Sequence, residues 1–521
     1  MKNKLVSVVI VTRNRKKDLI ECINSYLEST YKKIEIIVVD NNSSVPVSNW
    51  LQKKFPTVNL LTSSKNLGAA GGRNLGLSHA EGEYILFTDD DAYADKGMVK
   101  NLVWVFEKDK NAGIVQPLIY DKDNENILQG AGHDINLMTG RIKAWGAREL
   151  DEGQYEGLRE VPMCGCVWMV RKKVFEKIGN YDEDYFIPYE DSDFSLRTRN
   201  SGYKLYCYSR AKAWHQGLKV TFVHPLVEWL GITNSERAFR VARNKIIFMS
   251  KHSTFPSSLY FFCFILPVYL LLHSLIIIAT FKLNLLIRYW EGLLSGLNYL
   301  IRKIIERLKI IILAWTDPLP WVIDKNGKTI LDLGCGEGLP ARLIKERYKH
   351  FETVGIDLFE PYVQKARKLQ THNKYLLQDV RKLNFKNRSF DIVIASHVLE
   401  HLKKDEAWNL LSKMEKIASR QVIIAMPIGE LYHPPVDGNK LQLHLSSLYP
   451  EEFKKRGYKV INYGWKFLMG NEGLMNKWKN IIFKELCLII HLISTPIFYL
   501  LPNIGTYTFV AVKKVKKQKI K

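Results

Sequence analysis

The sequence predicts an α/β protein built on two separate, largely parallel sheets. Three observations predict it. Short apolar runs alternate with polar, helix-like stretches over residues 1–250, the alternation restarts near Thr329, and a hydrophobic, basic stretch separates the two series. Such alternation places helices on the faces of a parallel sheet. The 521 residues exceed the roughly 100–200 of one domain. With 46% hydrophobic and 25% charged residues, the chain is neither disordered nor fibrous. The expected organisation is a first domain over 1–254, a membrane-associated linker over 255–315 and a second domain over 316–521. The second domain carries a hydrophobic insertion near 474–503.

The first series opens with strand candidates Ser7–Thr12, Ile34–Asp40 and Glu83–Asp91, each ending in a polar turn. Between the first two, Leu19, Ile23 and Leu27 recur every four residues, a helical spacing. Acids gather at the strand ends: Asp40, then Asp89, Asp90 and Asp91. Ligands of open parallel sheets bind beyond those carboxyl ends. Three adjacent acids repel one another unless a cation is present, and Mg2+ or Mn2+ bridging two phosphates is the natural occupant. A solvated turn is the simpler reading of the triplet by itself. Asn66–Gly76 is a glycine-rich turn entering a helix, which lets backbone approach a phosphate or ribose. Glu190 and Asp191 open a further helix, where an acid can act as general base on an acceptor hydroxyl. Helix capping with an Asp193–Arg197 ion pair is the plainer alternative. His215 completes a metal site or is structural.

Taken in order, Ser7–Arg15, Val38–Ser44, Asn66–Leu77, Phe87–Ala92, Gly165–Phe186, Tyr189–Arg197 and 213–217 resemble the family 2 glycosyltransferases of GT-A fold, rhamnosyltransferase-like members among them. The resemblance covers about residues 5–250. It implies inverting transfer from a nucleotide-sugar. Asp40 would contact the base, and Asp89 and Asp91 would be the DxD-type acids. Asp91 would hold the metal with Asp89 and His215. Thr12, Asn66, Gly72, Arg73, Asn74 and Asp90 would line the donor. Asp191 would deprotonate the acceptor hydroxyl and Glu190 would orient it. Thr88 departs from the hydrophobic residue often found there.

The second series begins with Thr329–Gly338, a strand running into alternate glycines, and an acid, Asp357, ends the next strand. Such turns bring backbone close to a cofactor, and the acid stands where a ribose diol would lie. The DLGCGEG form resembles motif I of class I S-adenosylmethionine-dependent methyltransferases. Thr353–Leu358, Leu376–Val380, Phe390–Leu402 and His444–Gly464 follow in that family's order, and Thr506–Lys514 resembles its last strand. The likeness implies that Asp332, Gly334, Cys335 and Gly336 line the methionine part of S-adenosylmethionine, with Asp357 at the ribose and Asp379 at the adenine. His397 and His401 lie near the cofactor end. Either can be imagined as a base for O-methylation, and His401 reads as well as a structural helix residue.

Phe255–Phe281 carries no Lys, Arg, Asp or Glu over 27 residues. As a helix it would cover about 40 Å, more than the ~30 Å hydrocarbon core. Lys282, Arg288, Arg302, Lys303, Arg307 and Lys309 follow among Leu and Ile, which suits an interfacial helix. A second uncharged run, Leu486–Leu501, is short for a span. Net charge is +23, so a polyanionic partner is expected. The basic residues gather around apolar runs and no nucleic-acid recognition motif is present, so the expected partner is an anionic membrane surface and no nucleic acid. Seven scattered cysteines suggest no disulfide framework and favour a reducing compartment. Leu5–Val11 reads as a buried strand, not a signal peptide.

Both donors are cytosolic metabolites. The apolar segment is therefore expected to enter and leave one leaflet, bent near Pro267, or to lie along it, at the cytoplasmic face of the cell membrane. The reading is a bifunctional enzyme that transfers a sugar to a glycan, in particular a lipid-linked one, and O-methylates the same glycan. The alternative leaves only the glycosyltransferase head active on that glycan, with the second domain a scaffold or serving another acceptor.

Overall fold

A computed structural model describes residues 4–216, 230–429, 438–465, 490 and 506–515. The chain forms two compact units, Met1–Lys303 and Ile304–Lys521. Apart from Ile490, the second apolar run and the expected insertion lie outside the described residues.

The first unit contains β1 (Val6–Thr12), β2 (Ile34–Asp40), β3 (Asn59–Thr62), β4 (Tyr84–Asp89), β5 (Ala92–Ala94), β6 (Ala112–Asp121) and β7 (Leu128–Gly130). After a separate hairpin of β8 (His133–Asn136) and β9 (Arg141–Ala144) come β10 (Leu158–Glu160), β11 (Trp168–Arg171) and β12 (Lys204–His215). The main sheet runs β10-β12-β6-β11-β4-β1-β2-β3, with β5 on β12 and β7 on β6. β4, β1, β2 and β3 are parallel, and β11 runs antiparallel between β4 and β6. Helices cover both faces of β1, so its two sets of side chains are buried: Val6, Val8 and Ile10 in one cluster and Val9 in another. This explains the unbroken apolar run. The register sets Thr12 beside Asp40 and Val11 beside Asp89, so the acidic strand ends share one edge.

The helix expected from Leu19, Ile23 and Leu27 is Lys16–Leu27, but Leu27 is exposed and Cys22 and Tyr26 are buried in its place. A strict four-residue spacing drifts off a 3.6-residue turn, and the buried stripe follows the turn.

The charge-free segment is helical over Ser257–Ala279, a helix long and apolar enough to cross a membrane. Its turn Phe261–Ile265 is π-helical, immediately before Pro267. A proline removes one helical donor, and a widened turn absorbs the loss. One side of the segment packs into the first unit: Phe261 and Leu266 join Tyr185, Tyr189, Leu196 and Ile246–Met249. Phe264, Val268, Leu271 and Leu275 are exposed on it. The long helix Leu283–Thr316 follows, and the division between the units falls within it. A Cβ at Gly292 would lie 2.1 Å from the Phe239 carbonyl oxygen, so only glycine lets it approach the helix Ser235–His252 this closely.

The second unit contains β13 (Thr329–Leu333), β14 (Glu352–Asp357), β15 (Lys374–Leu377), β16 (Phe390–Ser396), β17 (Ala418–Pro427), β18 (Lys459–Trp465) and β19 (Thr506–Lys514). Their order is β15-β14-β13-β16-β17-β19-β18. The first five strands are parallel, and β19 is antiparallel to both neighbours. The strand order reverses at β13, which opens a crevice at its carboxyl end where ligands of such sheets bind.

Candidate active sites

The end of β4 delivers three acids into three environments. Asp89 is half exposed and meets Arg73 at 3.2 Å. Asp90 is buried and accepts from the Thr12 hydroxyl at 2.7 Å, and burial pushes it up to about 7. Asp91 pairs with Arg15 and with His215 Nε2 at 3.2 Å. Burial opposes its charge, but His215 and Arg15 outweigh burial and bring the carboxyl down to about 2. β12 ends at His215, and the loop before β11 adds Cys166. One ligand atom each from Asp89, Cys166 and His215 lie within 4.8 Å of one another. Of the three expected ligands, Asp89 and His215 thus share this group with Cys166, while Asp91 stands outside it and reaches His215 as an ion-pair partner. Cys166, about 75 residues from Asp89, is a neighbour that no sequence spacing announced.

Asp40 is buried and accepts from the backbone N–H groups of Ser43 and Val47, both at 2.9 Å. It braces the wall of a small cavity of about 250 Å³ lined by Thr12, Arg15, Ser43, Val47 and Trp50.

The glycine-rich run has a different physical use from the one its composition suggested. In the helix Gly68–Leu77, a Cβ at Gly72 would meet Val11 at 2.6 Å and one at Gly76 would meet Val9 at 2.3 Å. These glycines let the helix lie directly on β1. Its first amides are already occupied: Leu67 N–H by Asn41, Gly68 N–H by Asn66, and Ala69 N–H by the Phe186 carbonyl. Asn74 donates to the Tyr181 carbonyl and to Glu183, and accepts from Tyr181 N–H, so it clasps the loop before Glu190.

Arg73 joins the two acidic groups. Its guanidinium is buried, bonds Glu190 at 2.9 Å and Asp89 at 3.2 Å, and stacks over Trp168 at 4.6 Å. Burial, with Asp191 adding to it, pushes Glu190 up to about 7 despite Arg73. Asp191 accepts from Ser192 N–H through Oδ1. Its Oδ2 lies 3.5 Å from where a Cβ at Gly165 would stand, and part-buried His133 lies 2.9 Å from the same point. The ion pair expected along this helix is present, and the two acids expected at its start lie in its first turn. Asp193 makes the ion pair with Arg197 at 2.7 Å and meets His252 at 2.9 Å, while Glu190 and Asp191 occupy the first turn.

In the second unit a cavity of about 760 Å³ opens at the β13 edge, a size suited to a cofactor. Gly334, Cys335, Gly336, Asp357 and Asp379 line it. Gly334, Gly336 and Gly338 all have positive φ, and no atom lies within 4 Å of a Cβ built on Gly336. Asp357 accepts from Gly336 N–H at 2.8 Å and Phe359 N–H at 2.9 Å, and burial raises its carboxyl. Asp379 is paired with Arg381, which lowers it. Asp332 is turned away: it is buried against His372 Nε2 at 3.1 Å and is absent from the cavity wall. His397 and His401 both line the cavity, together with Glu400 and His444.

Residues 7–179 match the family profile described as Glycosyl transferase family 2, and residues 330–420 match Methyltransferase domain. The glycosyltransferase GlyG of Streptococcus pneumoniae is 35% identical over 128 residues, 24% of this chain and 42% of GlyG. The dTDP-rhamnosyl transferase RfbF of Shigella flexneri is 26% identical over 287 residues, 54% of this chain and 90% of RfbF. The Escherichia coli protein WfaP, a UDP-Glc:alpha-D-GlcNAc-diphosphoundecaprenol beta-1,3-glucosyltransferase, is 34% identical over 108 residues, 20% of this chain and 43% of WfaP. On one polypeptide, residues 7–179 are thus similar to family 2 glycosyltransferases and residues 330–420 to methyltransferase domains, and the chain spans less than half the length of GlyG and WfaP.

Proposed function

We propose that the first unit transfers a sugar from a nucleotide-sugar to a glycan acceptor with inversion, and that the second O-methylates a glycan with S-adenosylmethionine. The observation that carries the first half is the Arg73 bridge between Asp89 and Glu190. It ties the acid that would face the donor diphosphate to the acid pair that would face the acceptor. Asp191 takes the proton of the acceptor hydroxyl as its oxygen bonds to the anomeric carbon and the bond to the diphosphate breaks. Asp89, Asp91 and His215 would hold Mg2+ or Mn2+, which supplies charge stabilisation for the departing diphosphate. Asp40 and the cavity beside it suit the nucleoside. Glu190 orients the acceptor.

For the second half, the cavity with its open glycine at 336 suits S-adenosylmethionine. Asp357 is set for the ribose diol, Asp379 for the adenine and Gly334–Gly336 for the methionine part. Asp332 acts one step back, by fixing His372 behind the glycine turn.

The reading extends to a lipid-linked acceptor at the cytoplasmic face of the membrane. Two features support it: the exposed apolar side of Ser257–Ala279, and the exposed Ile287, Leu294, Ile301 and Leu308 among basic residues on the next helix. WfaP, by its name, acts on a diphosphoundecaprenol-linked sugar, which agrees.

Mass spectrometry of lipid-linked glycans from producing cells tests the whole. Asp191→Asn should shorten the glycan by one sugar, and Asp357→Ala should remove only a methyl increment. A glycan unchanged by Asp357→Ala would end the shared-glycan reading. Flotation with anionic liposomes tests the membrane contact, and failure to float at low salt would end it.

A further inference from the structure

The methyltransferase cavity holds a second chemical feature. Glu400, His401 and His444 stand in its wall, and one ligand atom from each lies within 4.8 Å of the others. Glu400 is only 1% exposed. Its Oε1 meets His397 Nδ1 at 3.2 Å, while Oε2 is buried with no hydrogen-bond partner among the described residues. A buried carboxylate oxygen without a donor is costly unless something positive completes it. The cluster is also assembled by backbone, independently of any ion. The Glu400 carbonyl accepts from Leu445 N–H at 2.8 Å and Ser446 N–H at 3.2 Å, which fastens the His444 segment to the Glu400 turn. His401 Nδ1 faces the Leu443 carbonyl at 3.3 Å. That contact selects the tautomer protonated at Nδ1 and leaves Nε2 as a lone pair.

We propose that Glu400, His401 and His444 bind a divalent transition-metal ion whose remaining coordination position faces the cavity and takes the acceptor hydroxyl. One carboxylate and two imidazoles form the three-ligand set of open, catalytic sites. A single ligand charge leaves the ion its Lewis acidity. Coordination makes the hydroxyl a better nucleophile at neutral pH. The oxygen bonds to the methyl carbon, the carbon–sulfur bond breaks with its electron pair staying on sulfur, and the hydroxyl proton passes to water. This deepens the methyltransferase reading and rests on it.

The test is Co2+ titration of the chelator-stripped full chain, followed by visible absorption. Glu400→Gln, His444→Gln and His401→Asn are compared with wild type after far-UV circular dichroism shows which of them fold. The expected result is one Co2+ fewer per chain in each folded variant, with loss of its absorption band; a Co2+ site in the first unit contributes equally to all samples. An unchanged count and spectrum in the folded variants overturns the site, as does a wild-type chain that takes up no Co2+. Calorimetric titration with S-adenosylmethionine on the stripped wild type separates the two readings. A chain that loses one Co2+ on substitution yet binds no S-adenosylmethionine keeps the metal site and sinks the methyltransferase reading.

Discussion

The two candidate sites handle charge in opposite ways. Around β4 the acids are answered by side-chain cations: Arg15 and His215 on Asp91, and Arg73 on Asp89 and Glu190. In the second unit the central acid, Asp357, is answered by backbone N–H groups and faces an open cavity. If the first site takes a diphosphate and a metal ion, as proposed, it must keep strong charges of both signs in place, and buried charges persist only when paired. If the second takes S-adenosylmethionine, as proposed, glycine backbone can shape it. The first should therefore be sensitive to the loss of single charges, and the second to added volume.

The largest effect that sharpens this contrast is catalytic. Asp191→Asn should lower sugar transfer by roughly 10²–10⁴-fold, the usual worth of a general base, with methylation of a preformed glycan unchanged in the same preparation. Next is Arg73→Met, which strands Glu190 and should cost the first unit about 3–5 kcal/mol, read from the urea midpoint. Arg73→Met with Glu190→Gln should recover most of that loss. If it does not, Arg73 is held by its Trp168 stacking and not by charge.

Volume comes third. Gly76→Val presses on Val9, and Gly338→Ala meets Thr371 Oγ1 at 2.2 Å from a position with φ +85°. Each should cost about 1–3 kcal/mol, and only Gly338→Ala should weaken S-adenosylmethionine binding. Equal sensitivity of both ligands to both changes would break the comparison.

The effect spread most thinly, over several pH units, is pH dependence. Glu190 sits at about 7 in the fold against an ordinary 4.5, because burial and Asp191 disfavour its charge. The folded chain thus holds a proton between these values that the unfolded chain has released. Glu190 should thus lower the stability of the first unit as pH rises from 4.5 to 7, by at most about 1.4 kcal/mol per unit, beside a share of the same sign from Asp90. Glu190→Gln should flatten that slope in thermal melts.

The strands and the chemistry-bearing turns could be read from sequence because their signals are local. Ser7–Thr12 and Thr329–Leu333 are apolar runs ending in polar turns, and Asp89–Asp91, Glu190–Asp191 and Gly334–Gly338 are short and dense. What could not be read was non-local. Cys166 reaches Asp89 and His215 only because β11 inserts antiparallel between β4 and β6. His133 and Asp191, 58 residues apart, both border the space that glycine at 165 leaves open. Asp332 finds His372 across 40 residues, and His444 finds Glu400 through backbone bonds that no periodicity encodes. The glycines of 68–76 were legible as glycines, but whether they admit a phosphate or a neighbouring strand depends on what lies opposite.

Arg73 also constrains how this chain can vary over generations. It has two carboxylate partners and an indole, so most single replacements leave a buried acid uncompensated. Routes to another residue at position 73 run through a prior change at 190, where a neutral amide relaxes the demand. The order of substitutions is thereby restricted: position 190 acts as a gate for position 73. Descendants that have lost the arginine should also have lost the glutamate.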